Sequence, residues 1–206
     1  MAPLVDYEKA AGLLKKYGIS SVRSSYVGSA EEASSFLKGD DPIVLKAISQ
    51  KALHKSKSGL VKLNLRSEEE IRKAYADLVK RAKPLRPYKI LAQSMLSGGL
   101  EMIIGGSVDP QFGKMVLLGL GGIYVETFKD FALRLCPIST YDAASMLRQL
   151  RSRKIIAPDN RSENMIAGLL LRASRMFTES NLSEMDLNPI ILHDGRYDAV
   201  DIRLLE

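Results

Sequence analysis

Lys46 interrupts a compact apolar run, Ile43-Val44-Leu45-Lys46-Ala47, that reads as a buried strand. An ammonium among such neighbours must point away from the apolar side or lie buried with a partner, because an unpaired buried charge is expensive. A phosphate is one such partner; an exposed-face lysine on a half-buried strand is the plainer alternative. Near the other end of the chain, Glu184, Asp186, Asn188 and Asp201 gather carboxylate and amide oxygens on two adjacent predicted strands. Such hard donors suit magnesium, which takes one or two protein oxygens and completes its shell with substrate phosphates. Taken singly, Asn188-Pro189 also reads as a turn or edge-strand dipeptide, and Asp201 as a residue that solvates a chain end.

The common phosphate-binding loops are missing. No G-x-x-x-x-G-K-[ST] occurs, and the run Gly119-Leu120-Gly121-Gly122 is followed by Tyr124 where G-x-G-x-x-G needs glycine. That run reads equally as a tight turn or bulge and as a phosphate or backbone contact. Cys136 is the single cysteine and His54 and His193 are the only histidines, so neither a disulfide nor a Cys/His zinc site can form within the chain. A reducing, cytoplasmic location is the expectation. By residue type alone His54 reads as an exposed loop histidine.

The elements that must hold these residues follow from periodicity and caps. Asp6 caps a helix with Ala10, Leu13, Leu14 and Tyr17 on one stripe and Gly18 as its stop. A short strand over 21–27 precedes a helix from Ser29 and Glu32 to Leu37. A polar loop over 49–59 leads into the alternating strand Leu60 to Leu65, and Ser67 with Glu70 opens a long helix to about Ala82. Lys83-Pro84-Leu85-Arg86-Pro87 blocks both helix and central strand, which predicts a boundary between lobes 1–88 and 89–206. Beyond it, strands are expected at Lys89–Ala92, Leu100–Gly106 and Lys114–Leu118, helices at Thr140–Leu150 and Glu163–Phe177, then strands Met185–Leu192 and Tyr197–Ile202. Strand clusters without a regular βαβ period predict an α+β arrangement rather than a doubly wound sheet.

The chain has 206 residues, 46% hydrophobic and 26% charged, which excludes disorder. Its 30 Lys and Arg against 24 Asp and Glu give a net +6, and residues 51–100 alone hold twelve basic and four acidic side chains, a local +8. Such a field points to an anionic partner held in one place. A nucleic acid is disfavoured, since Tyr75 and Tyr88 are the only aromatics of that segment and stacking platforms supply much of single-strand affinity. Met1 to Asp6 lacks a long apolar core, and no later run approaches the roughly 18 apolar residues of a membrane span, so neither secretion nor membrane insertion is expected.

Several stretches, in this order, resemble one family. They are Val44-Leu45-Lys46; Leu53-His54-Lys55-Ser56 and Gly59 to Leu65; Glu101-Met102-Ile103-Ile104-Gly105; Asp109-Pro110-Gln111-Phe112-Gly113; Gly119 to Glu126; Glu184-Met185-Asp186-Leu187-Asn188-Pro189; and Ala199-Val200-Asp201. The family is that of the β subunit of ADP-forming acetyl-CoA synthetase (acyl-CoA synthetase, NDP-forming), with an ATP-grasp fold related to the succinyl-CoA synthetase β subunit.

The resemblance implies two α+β lobes clamping a nucleotide, in an acid–thiol ligase that interconverts acyl-CoA, ADP and phosphate with acid, CoA and ATP. It implies Mg2+ and ATP or ADP as cofactors, and an α (CoA-binding) subunit as partner in a heterotetramer. Lys46 resembles the lysine that contacts nucleotide phosphates; Gln93, Ser94 and Met95 occupy the hinge that lines the adenine; Glu101 resembles the acid near the ribose. Glu126 matches an acid near metal and phosphates, Asn188 and Asp201 match the magnesium ligands, and His54 resembles a phosphoryl-carrying histidine. The chain departs from the pattern at Lys57-Ser58-Gly59-Leu60, where the family has an acid and two glycines; at Ser94, where a glutamate is common; and at Ile155 to Arg161. These departures motivate the alternative of a catalytically degenerate nucleotide-binding regulatory module.

Overall fold

Residues 2–39, 41–52, 59–121 and 130–206 are described by the structure, a computed structural model. They divide into two units, Val22–Ser97 and a second made of Met1–Ser21 with Gly98–Glu206.

The Val22–Ser97 unit is built on a four-stranded antiparallel sheet. Its strands are β1 (Ser24–Val27), β2 (Ile43–Ile48), β3 (Val61–Leu65) and β4 (Lys89–Ser94), in the order β1-β4-β2-β3. The helices α2 (Ala30–Ser34) and α3 (Glu68–Ala82) cover one face. Ser67 and Glu70 form the expected capping box, and Ile71, Ala74, Leu78 and Ala82 are buried along one stripe. They pack on Ile43, Leu45, Ala47, Ile90 and Ala92, the residues that alternation places on the same side of the sheet. α2 ends at Ser34, three residues short of the expected Leu37.

The other unit begins with α1 (Tyr7–Lys16), capped by Asp6, whose carboxylate accepts the Glu8 N–H. Its sheet holds β5 (Leu100–Asp109), β6 (Gly113–Leu120), β7 (Phe131–Leu135), β8 (Glu184–His193), β9 (Arg196–Ala199) and β10 (Ile202–Leu205). The order is β10-β8-β5-β6-β7, with β9 also on β8. The β5–β6 hairpin turns as expected: Asp109 accepts the N–H groups of Gln111 and Phe112, and Gly113 takes φ 80°. Between β7 and β8 run α4 (Thr140–Gln149), the short α5 (Arg153–Ile156) and α6 (Asn160–Glu179). Ile166, Leu169, Leu170, Ala173 and Phe177 of α6 are buried, as are Met102, Ile104, Val116 and Leu118 of the sheet.

Two expectations change, and one strand is new. The boundary does not fall after residue 88. Strand pairing overrides the prolines, because β4 lies between β1 and β2 in the smaller sheet, and the division comes after Ser97. β7, which periodicity did not single out, closes the edge of the larger sheet. The expected strand Tyr197–Ile202 is two strands, interrupted at Val200-Asp201. Among the described residues no helix is long and apolar enough to cross a membrane.

Candidate nucleotide and metal site

In the smaller unit, register settles which side chains share a face. Lys46 lies opposite Leu91 and Val61, and Val44 opposite Gln93. Lys46 and Gln93 are therefore diagonal neighbours on adjacent strands, on the face turned away from α2 and α3. Both are buried, Lys46 at 8% exposure and Gln93 at 0%. The end of β4 and the residue after it are held by backbone hydrogen bonds: Ser94 N–H donates to Arg23 O at 2.9 Å and Met95 N–H to Pro42 O at 3.1 Å. Lys46 and the segment 93–95 thus form one set on a rigid frame.

Part of the basic segment is neutralised locally. Asp77 on α3 accepts Lys62 at 2.6 Å and Arg81 at 2.7 Å. The hydrogen bond from Lys62, then that from Arg81, holds the Asp77 carboxyl below its ordinary range.

In the larger unit the site residues lie at an irregularity. β5 and β8 pair Met102 with Ile190 and Ile104 with Leu187, so Asn188 and Pro189 together oppose the single residue Ile103. This β-bulge falls where β9 ends and β10 has not begun. There Asn188 N–H donates to Asp201 O at 3.2 Å, and Val200 N–H to Pro189 O at 3.0 Å. Bulges re-aim side chains and often adjoin sites; here Asn188 is exposed and Asp201 half-buried. One carboxamide and one carboxylate oxygen fit a magnesium ion that keeps water and substrate phosphate in its other positions. Among the described residues no group of three or more His, Cys, Asp or Glu could hold a metal. Glu184 stands apart from the pair, four residues away along β8 and bonded to Arg203 at 2.8 Å.

Glu101 is exposed near the start of β5, opposite Ile191. Gly121 fixes it: the Gly121 N–H donates to Glu101 O at 2.7 Å, and a Cβ at 121 would stand 2.8 Å from Glu101 C. For Gly121, then, the glycine run serves close backbone approach. Sequence reasoning missed Asp130, whose carboxylate accepts the N–H groups of Arg151 and Ser152, both at 2.8 Å, and so ties the chain after α4 to the start of β7. Burial pushes its pKa up, but the hydrogen bonds from Ser152 and Arg151 together outweigh burial and hold it low. No motif marked it; the signal available was an acid directly before the alternating Phe131-Ala132-Leu133-Arg134-Leu135. His54 and Glu126 lie outside the described residues.

Residues 3–205 match the ATP-grasp domain family. A β subunit of acetate–CoA ligase [ADP-forming] I from Pyrococcus furiosus is 34% identical over 214 residues, spanning 98% of this chain and 91% of that protein. The chain belongs to this ATP-grasp family. Acetate–CoA ligase [ADP-forming] I from Archaeoglobus fulgidus is 34% identical over 94% of this chain, which spans 30% of its length. Among solved structures, the dinucleotide forming acetyl-coenzyme A synthetase 1 of Ca. Korarchaeum cryptofilum, in complex with coenzyme A, Ca-AMPCP and HgCl+, superposes with a TM-score of 0.85. It is 37% identical and covers 99% of this chain and 93% of that one.

Proposed function

We propose that this chain is the nucleotide-binding β subunit of an ADP-forming acyl-CoA synthetase, converting acyl-CoA, ADP and phosphate to acid, CoA and ATP, and the reverse, together with a CoA-binding α subunit in a heterotetramer. The observation that carries the reading is the juxtaposition of Asn188 and Asp201 at the bulge, in a chain similar along nearly its whole length to such subunits. That the Archaeoglobus relative is a longer single chain supports the need for a partner.

In this reading Lys46 meets the nucleotide phosphates, Gln93, Ser94 and Met95 line the adenine, and Glu101 approaches the ribose. Asn188 and Asp201 hold Mg2+, with Glu126 near the metal and phosphates. The ion supplies charge neutralisation, which dominates catalysis of phosphoryl transfer. His54 carries the group: a neutral imidazole nitrogen attacks the terminal phosphorus of ATP, a P–N bond forms as the P–O bond to ADP breaks, and the phosphoryl group passes to a histidine of the α subunit.

Incubation with γ-labelled ATP, Mg2+ and the α subunit should label histidine on both chains. In His54→Ala, folded by circular dichroism, label on this chain should vanish; unchanged labelling removes His54 from the mechanism. The second reading, a regulatory module that binds nucleotide without turnover, is favoured by Ser94 in the hinge. Full nucleotide affinity without acyl-CoA formation at saturating α subunit would establish it.

A further inference from the structure

The basic segment's two aromatics, Tyr75 and Tyr88, pack on the α3 side of the smaller sheet, the side opposite the face that carries Lys46 and Gln93. With Tyr26 of β1 they line an open surface cavity of about 540 Å³, which also touches the buried Val27 and Ile90. Lys89 stands at its rim, with its ammonium 4.3 Å from the centre of the Tyr26 ring. A second cavity of about 550 Å³, lined by Arg86, Pro87 and Tyr88, shares Tyr88. All these residues belong to the Val22–Ser97 unit.

We infer that this cavity binds a small planar aromatic carboxylate. The volume falls in the range of ligand sites. Three half-buried phenol rings offer faces and edges for offset stacking, which favours a flat ring over an aliphatic chain. Lys89, with Arg86 beyond Tyr88, marks the end where the carboxylate sits. Burial, then Tyr88, Glu32 and Glu31, raise the Tyr75 pKa and so keep its phenol protonated, and the Glu32 carboxylate accepts the N–H of the lining residue Gly28 at 2.7 Å.

The test uses the full chain with ¹³C-labelled tyrosine, titrated with benzoate, benzamide and cyclohexanecarboxylate. Benzoate should shift the ring signals of Tyr26, Tyr75 and Tyr88 saturably, with a Kd below about 1 mM. Benzamide and cyclohexanecarboxylate should each bind at least about fivefold more weakly, as should benzoate to Lys89→Gln, whose exposed site keeps the fold intact. Tyr88→Ala, checked by thermal melting, should abolish the shifts. Absence of shifts at these three tyrosines overturns the proposal, and so does equal binding of benzamide or equal affinity in Lys89→Gln.

Discussion

Asn188 donates its backbone N–H to the carbonyl of Asp201 across 3.2 Å, so two residues thirteen positions apart in sequence meet where one strand bulges and its neighbour is interrupted. Two main-chain hydrogen bonds, this one and that from Val200 N–H to Pro189 O at 3.0 Å, hold the two segments together. Asn188→Ala and Asp201→Asn should therefore leave the fold intact and raise the Mg2+ concentration for half-maximal nucleotide binding about 10- to 100-fold, given the cost of altering a metal site. Calorimetric titration of ADP across Mg2+ concentrations checks this; unchanged Mg2+ dependence in both variants would remove the pair as ligands.

Lys46 and Gln93 share one buried face of the smaller sheet. Lys46→Gln should weaken ATP binding by about 1.5–3 kcal/mol, the range of hydrogen bonds to charged groups, or roughly 10- to 150-fold in Kd. Adenosine, which has no phosphate, should bind both forms equally. A parallel loss for adenosine would mean that the substitution damages the frame instead.

Gly121→Ala places a methyl group 2.8 Å from the backbone of Glu101, where the main chain cannot yield cheaply. Overpacking of this kind costs about 1–3 kcal/mol. A lowered Tm should accompany weaker nucleotide binding, because the displaced residue is Glu101 itself; an unchanged Tm would show that the main chain does yield.

Asp130 gives a pH signature. Its carboxyl is held below the ordinary 3.8 in the folded chain, so its contribution is complete above that value and disappears as pH falls through the lower folded pKa. Asp130→Asn should cost about 1–3 kcal/mol at neutral pH by leaving a buried N–H poorly satisfied. Denaturant unfolding of both proteins should show the gap closing below pH 3.8. A gap independent of pH would mean that the carboxylate's charge is irrelevant.

Where local chemistry decides, the sequence was readable. Asp6, Ser29 and Ser67 cap helices at the expected positions, and the Asp109 to Gly113 turn sets its hairpin. Where distant segments decide, it was not. The interruption at Val200-Asp201 exists because β8 offers a bulge at Asn188-Pro189, which periodicity in 197–202 cannot reveal. Two prolines made 83–87 look like a boundary, yet residues 89–94 find their partners in β1 and β2. The chemical types of Lys46, Asn188 and Asp201 were visible in isolation. That Lys46 shares a face with Gln93, and that Asn188 abuts Asp201, needed the register.

The larger unit joins both ends of the described chain: Val5 N–H donates to Leu204 O at 2.9 Å and Glu206 N–H to Pro3 O at 3.1 Å. Ribosomal synthesis therefore delivers the two units out of step. The continuous segment 22–97 can close its sheet while translation proceeds, whereas the first helix must wait for β10, more than a hundred residues beyond that segment. Nascent chains stalled shortly after residue 97 would carry one finished body and an N-terminal segment still without its partners.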